Sequence, residues 1–121
     1  MTKRKKSTSR KREIGWSKKA RDKGYRAERD GVLLLRRMGC WAKRLRSDEQ
    51  IGEMRCVDGY YWDPARFIFG FEQTKYQRKY LHKEEKDRII ELCTKYNVEG
   101  MFMWREPRKG MKFEIIRELV K

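Results

Sequence analysis

A carboxylate closes the most apolar stretch of the chain. The run Phe67-Ile68-Phe69-Gly70-Phe71 contains three phenylalanines, and its length and composition predict a short buried strand. Glu72 follows it directly. An ionised acid at the end of a buried strand is costly unless a cation, a hydrogen-bond network or a metal ion compensates it. The fold must therefore bring such a partner to the end of this strand.

Length allows one domain plus at most a tail, because the chain has 121 residues. No stretch approaches the roughly 20 apolar residues that cross a bilayer, and no signal-peptide core is present. A cytoplasmic protein with no membrane contact is expected. Cys40, Cys56 and Cys93 are odd in number and lack CxxC spacing. With His82 the single histidine, the composition argues for reduced thiols rather than a zinc site.

The charge is strongly positive, +15 at pH 7, so a polyanionic partner is expected. Much of it lies near the start. Lys3, Arg4, Lys5, Lys6, Arg10, Lys11, Arg12, Lys18 and Lys19 face only Glu13. Residues 1–19 read as a disordered basic arm that binds phosphates, releasing counterions as it does so; a merely solubilising tail is the alternative. Residues 20–121 form the folded domain.

A helix is predicted over 20–38. Tyr25, Ala27, Gly31, Val32, Leu34, Leu35 and Met38 fill one half of its wheel, and Arg26, Arg29, Asp30, Arg36 and Arg37 fill the other. Glu28 falls near the middle of the apolar half, where a surface glutamate would not be placed; a functional acid is expected, and pairing with a buried arginine or capping neighbouring backbone is the alternative. Gly39 ends this helix. Strands are predicted at Trp41–Leu45, Met54–Trp62 and Phe67–Thr74, the last two joined by the turn Asp63-Pro64-Ala65-Arg66. Asp63, beside a proline, is read as a turn residue. A second helix spans Lys83–Tyr96, and strands at Met101–Trp104 and Lys112–Ile116 follow. The order αβββαββ predicts an α/β protein with a mixed central sheet flanked by helices.

Three acids stand out of place: Glu28 on an apolar helix face, Asp58 inside a strand, and Glu72 at the end of the next. Asp58 and Glu72 lie on strands joined by a hairpin and can meet. Convergent carboxylates raise one another's pKa unless a cation sits among them. Mg²⁺ suits such a group, since it takes one or two carboxylates together with water and substrate phosphate. It can then activate water and neutralise charge on phosphorus. Beside the Glu72 strand, Lys75-Tyr76-Gln77-Arg78-Lys79-Tyr80 mixes cations and aromatics, and Tyr76, Arg78 and Lys79 are candidate phosphate and sugar contacts.

Lys23-Gly24-Tyr25-Arg26-Ala27-Glu28-Arg29-Asp30, then Val57-Asp58, then Phe71-Glu72 together resemble the archaeal-type Holliday-junction resolvases, members of the PD-(D/E)xK restriction-endonuclease-like superfamily. The resemblance covers roughly residues 20–117. It implies that Glu28, Asp58 and Glu72 are metal-site acids, that Mg²⁺ is the cofactor with Mn²⁺ able to substitute, and that a homodimer makes paired cuts in branched, four-way DNA. Lys23 and Arg26 at the start of the helix are taken as DNA contacts. Ser47 falls near the position of a functional serine in that family, and a plain loop serine is the alternative.

One departure from the pattern matters. The family reads E-x-K, but Glu72-Gln73-Thr74 places threonine third, with Lys75 one residue on. In a regular strand Lys75 points away from Glu72. A bulge would bring it back as the catalytic lysine, or Lys43 from the first strand could reach the site. A non-catalytic DNA-binding protein of the same fold, a general duplex-nicking protein and a basic RNA binder are the competing readings. The two-fold homodimer is expected to use the apolar run Met101–Trp104 together with Phe113, Ile115 and Ile116.

Overall fold

The structure is a computed structural model that describes the backbone of residues 2–119 and the side chains of residues 18, 19 and 21–119. The elements are α1 (Thr2–Arg37), β1 (Trp41–Arg44), β2 (Gly59–Asp63), β3 (Ile68–Lys75), α2 (Lys83–Tyr96), β4 (Glu99–Glu106) and β5 (Gly110–Arg117). Their order is the αβββαββ expected from the sequence. The five strands form one sheet in the order β1-β2-β3-β4-β5. Pairing is parallel between β3 and β4 and antiparallel elsewhere. The parallel step requires a crossover, and α2 supplies it.

Helix α1 packs on one face of the sheet. Ala27, Val32 and Leu35 are buried there with Ala42, Tyr61, Met101 and Met103. Gly31 lets the helix approach closely, since a Cβ at that position would stand 2.8 Å from Met103 Cε and 3.0 Å from Thr74 Oγ1. The buried stripe is narrower than the predicted half-wheel, because Tyr25, Leu33 and Met38 are exposed. Where an irregular arm was expected before residue 20, the backbone is helical from Thr2 and continuous with the rest of α1. Lysine and arginine are good helix formers, and no proline interrupts the segment. The side chains of Lys3, Arg4, Lys5, Lys6, Arg10, Lys11 and Arg12 lie outside the described residues.

Three expectations are corrected. The second strand starts at Gly59, not Met54, because residues Gly52–Met54 form a 3-10 turn. Phe67 is not in a buried strand: it sits in the hairpin turn at φ 58°, 79% exposed, with its ring edge on Trp62 at 4.8 Å. The buried residues of β3 are instead Gly70, Glu72, Gln73 and Thr74, while Phe69 and Phe71 are half-buried. Finally, Met101, Phe102 and Met103 are fully buried in the chain's own core. The central position of β4 covers them on both faces, so they cannot serve as a dimer interface.

The reason the phenylalanines stay half-exposed is the placement of α2. It covers β4 and β5 and touches β3 on the face opposite α1, burying Ile89, Leu92 and Cys93. On that same face Trp41 of β1, which is exposed, and Tyr60 and Trp62 of β2 with Phe69 and Phe71 of β3, which are half-buried, form an aromatic surface. The rings touch in sequence: Trp41 to Tyr60 at 5.5 Å, Tyr60 to Phe69 at 5.9 Å, Phe69 to Phe71 at 5.7 Å. Asp63, expected in the turn, is instead the last residue of β2, and its carboxylate braces the turn that follows by accepting from the Ala65 and Arg66 N–H groups. It also holds Arg66, whose guanidinium forks onto buried Glu99 at 2.9 and 3.0 Å. That network clasps the end of the sheet away from Glu72.

Candidate catalytic site

Strand register brings the site together. Arg44 of β1 lies opposite Gly59 of β2, and Gly59 lies opposite Glu72 of β3. The three therefore form one row across the sheet. Alternation along β1 puts Arg44 on the same face as buried Ala42, the face that α1 covers. The middle member has no side chain, and the Glu72 carboxylate fills the space one would take. A Cβ at Gly59 would stand 2.4 Å from Glu72 Oε1 and 2.7 Å from the Lys43 carbonyl oxygen. Glu28 reaches the row from α1, where its carboxylate accepts from Arg44 Nη2 at 2.9 Å.

Asp58 immediately precedes the row. Its backbone N–H donates to the Glu72 carbonyl at 2.9 Å. Its carboxylate accepts from the Thr74 N–H at 2.8 Å and from Gln50 Nε2 at 3.1 Å. The side chain thus takes over from β2 as acceptor for the edge of β3, which fixes its position. Glu72 is wholly buried. The Thr74 hydroxyl donates to its Oε2, while Oε1 is buried with no partner among the described residues.

The electrostatics follow from this crowding. Burial, and after it the charge of Glu28, raises the Asp58 carboxyl to about 7 against the opposing pull of the Thr74 N–H, Lys75 and Gln50. Burial, and after it the charge of Asp58, raises Glu72 to about 8; Glu28 adds to this, while the Thr74 hydroxyl and Arg44 oppose it. Among the described residues Asp58 and Glu72 have no ion-pair partner within 4 Å, and Lys75 and Arg44 only partly offset the crowding, which is the condition a bound cation relieves. Among the described residues no group of three or more His, Cys, Asp or Glu side chains is arranged to hold a metal ion. Asp58 and Glu72 form a pair, and Glu28 is engaged by Arg44.

Lys75 does not join Glu72. The pairing of β3 runs without a bulge from Gly70 to Lys75, so Lys75 projects to the opposite face and pairs with Glu85 of α2 at 2.9 Å. Glu85 also accepts from Gln73 at 2.8 Å. Lys43 likewise falls on the aromatic face and is exposed. Thr74 occupies the position facing Glu72 where the resembling family carries lysine. Sequence reasoning missed Arg44, Gln50 and Gly59. For Arg44 the signal was its two-residue spacing from apolar Ala42; for Gly59 it was a glycine next to the acid of a strand.

The expected DNA contacts divide into two clefts. Lys23, Arg26 and Tyr76 line one of about 330 Å³ together with Gln77, Arg105 and Pro107. Lys23 Nζ lies 5.8 Å from the centre of the Tyr76 ring, and Tyr76 stacks on Tyr80 at 4.6 Å. Lys79 lies over Tyr80, and Arg78 lies over Trp104 at 5.2 Å. Ser47, exposed, lines a second, open cleft of about 510 Å³ with Tyr25, Glu28, Arg44, Leu45, Arg46 and Gln50. Of the three acids only Glu28 lines this second cleft, and Gln50 in its wall donates to Asp58. All three cysteines are free thiols, two of them buried.

No family model and no curated protein matches the sequence. The fold has a counterpart in Hjc of Archaeoglobus fulgidus, a Holliday junction resolvase from an archaeal hyperthermophile, with a TM-score of 0.61 at 19% identity over 77% of each chain. At that identity the likeness is one of fold. The chain is an α/β protein whose mixed five-stranded sheet and two helices have the architecture of a resolvase nuclease.

Proposed function

We propose that this protein is a Mg²⁺-dependent, structure-selective DNA endonuclease that makes paired cuts in four-way junctions. The observation that carries the reading is the buried pair Asp58 and Glu72, with Glu72 Oε1 unpartnered among the described residues and packed where a Gly59 side chain would be. Resolvase architecture and a charge of +15 support DNA as the substrate. Mg²⁺ fits the donors present, because it asks for only one or two carboxylates and fills the remainder with water and phosphate oxygen.

Asp58 and Glu72 would hold the ion, with Glu28 alongside. When bound, the ion supplies a lowered pKa for an attacking water and neutralises charge on the phosphoryl oxygens. The chain's own groups set the stage. Gln50 and the Thr74 N–H aim the Asp58 carboxylate, and the Thr74 hydroxyl holds Glu72 Oε2, which leaves Oε1 for the ion. Lys23, Arg26 and the Tyr76–Tyr80 stack grip the backbone outside the acids. Helix α1 carries the basic segment 2–19 on the same rod as Glu28, which extends the phosphate-binding surface.

A labelled four-way junction incubated beside linear duplex tests this. Symmetric nicks in the junction that need Mg²⁺ or Mn²⁺ are expected. Binding with no cleavage in either metal would leave a non-catalytic DNA-binding protein, the reading that Thr74 in the lysine position favours. Equal nicking of linear duplex would make the protein a general nickase. No helix among the described residues is long and apolar enough to cross a membrane, and the proposed activity belongs to the cytoplasm.

Paired cuts also call for two sites related by two-fold symmetry. The aromatic face of β1–β3 is the surface proposed for the homodimer. Contiguous exposed apolar patches of this kind mark interfaces, and aromatic residues are enriched at their centres. Light scattering at micromolar concentration should report twice the 14.9 kDa chain mass, and Trp62→Arg should return the monomer. A wild-type monomer would refute the dimer.

A further inference from the structure

Tyr76 comes four residues after Glu72, just past the end of β3. Alternation carries it to the sheet face that holds Glu72 and Thr74, and there Lys23 of α1 reaches over its ring at 5.8 Å. A 3-10 turn, Arg78–Tyr80, folds the chain back so that the Tyr80 ring stacks on Tyr76 at 4.6 Å. Arg78 pins that turn to the sheet: its guanidinium lies over the Trp104 ring at 5.2 Å and pairs with Glu114 at 3.4 Å. The two tyrosine rings are therefore held in place by the fold itself.

The cleft of about 330 Å³ beside Tyr76 has a mixed lining. Tyr76 and Pro107 give it flat apolar walls, Gln77 gives it an amide, and Lys23, Arg26 and Arg105 bring positive charge. Arg105 is held by Asp30. Lys23 and Arg26 are exposed and belong to no ion pair among the described residues. Cations alone would serve a phosphate. An aromatic face beside a proline ring gives a phosphate nothing, but it matches the flat face of a nucleobase, and the amide can bond to the edge of one.

We propose that this cleft takes an unpaired nucleobase, stacked on Tyr76, while Lys23 and Arg26 meet the phosphates that flank it. The proposal rests on the reading above for branched DNA as the ligand, and it names the part of that DNA the cleft selects. A base inside a duplex must be unpaired and unstacked before it can enter, and that cost is least for a nucleotide that is already unpaired. Stacking on a tyrosine then favours binding whatever the base, because every base has a flat face. Preference for structure over sequence follows. Four residues of extended chain span about 13 Å, which puts the stacked base within a few nucleotides of the Asp58–Glu72 pair.

Affinity measured in EDTA tests this without cutting. Two four-way junctions are compared, one with a single unpaired thymidine at the branch and one with an abasic residue in its place. The wild type should bind the thymidine junction about tenfold more tightly. Tyr76→Ala and Tyr76→Leu should abolish the preference, and Tyr76→Phe, which keeps the ring, should retain it. Arg26→Gln should weaken both junctions alike, because it removes a phosphate contact and leaves the ring. Iododeoxyuridine in place of the thymidine should cross-link to Tyr76 on irradiation, as read by peptide mass spectrometry. Equal wild-type affinity for the two junctions, a preference that survives Tyr76→Ala, or a cross-link to Tyr25 in the second cleft would overturn the assignment and leave the Tyr76–Tyr80 stack as packing. Cleavage in Mg²⁺ is scored apart. A chain that cuts junctions without the base preference loses only this proposal, and one that shows the preference but never cuts loses only the nuclease reading.

Discussion

Asp58→Asn and Glu72→Gln are each expected to lower Mg²⁺-dependent cleavage by at least about 1,000-fold while junction affinity stays within about threefold. Cleavage and affinity separate because they rest on different residues. Affinity comes from lysines and arginines on phosphate, on α1 and in the Lys23–Arg26–Tyr76 cleft. The acids oppose a polyanion, so removing their charge cannot weaken that attraction. Both substitutions keep shape and most hydrogen bonds. The amide oxygen that Asp58→Asn introduces can still accept from the Thr74 N–H, and the one that Glu72→Gln introduces can still accept from the Thr74 hydroxyl. What disappears is the negative charge that would hold the ion. Glu28→Gln should be milder, because Arg44 already engages Glu28. Wild-type rates in both the Asp58 and the Glu72 variants would refute the site.

The acids were legible in the sequence because each broke a pattern. Glu28 interrupted an apolar helix face, Asp58 sat within a predicted strand, and Glu72 closed an apolar run. The structure brings all three into electrostatic contact. The cation was not legible. A motif places lysine near Glu72 along the chain, but the cation the sheet brings to the acids is Arg44, which pairs with Glu28 from the strand two away from Glu72. Register decides that, and register depends on where β2 begins. The prediction of Met54 as the first residue of that strand missed the positive φ of Gly52 and the 3-10 turn that follows, so the pairing of Arg44, Gly59 and Glu72 was out of reach.

Burial was misjudged for a related reason. An apolar run suggests a strand covered on both faces, yet only one half of the sheet receives α2. Phe69 and Phe71 consequently stay half-exposed among other aromatics, while polar Gln73 and Thr74 are buried beneath the helices. Helix coverage is a property of crossover geometry, which no local window contains. The run Met101–Met103, by contrast, lies on the strand that both helices and both neighbouring strands enclose. Its apolar character is fully used inside the chain.

Raised carboxyl pKa values also make the metal-free protein less stable as pH rises. Asp58 goes from 3.8 to about 7 and Glu72 from 4.5 to about 8. In the folded state both therefore keep protons that the unfolded chain has already released. Between about pH 4 and pH 8 the unfolded state binds fewer protons, so stability present at acid pH is lost as pH climbs through the folded-state values. In EDTA the melting temperature should fall between pH 5.5 and pH 8.5, because the folded state gives up over that range the two protons the unfolded chain has already released. Glu72→Gln removes one of the two titrations and should flatten the fall, becoming more stable than the wild type at pH 8.5. Mg²⁺ should restore the wild type at pH 8.5 and leave Glu72→Gln nearly unmoved, because an ion that binds only the folded, ionised pair stabilises by mass action. A wild-type melting curve that is flat over this range, or Mg²⁺ stabilisation equal in both proteins, would show that the pair is neither strained at high pH nor the seat of the ion.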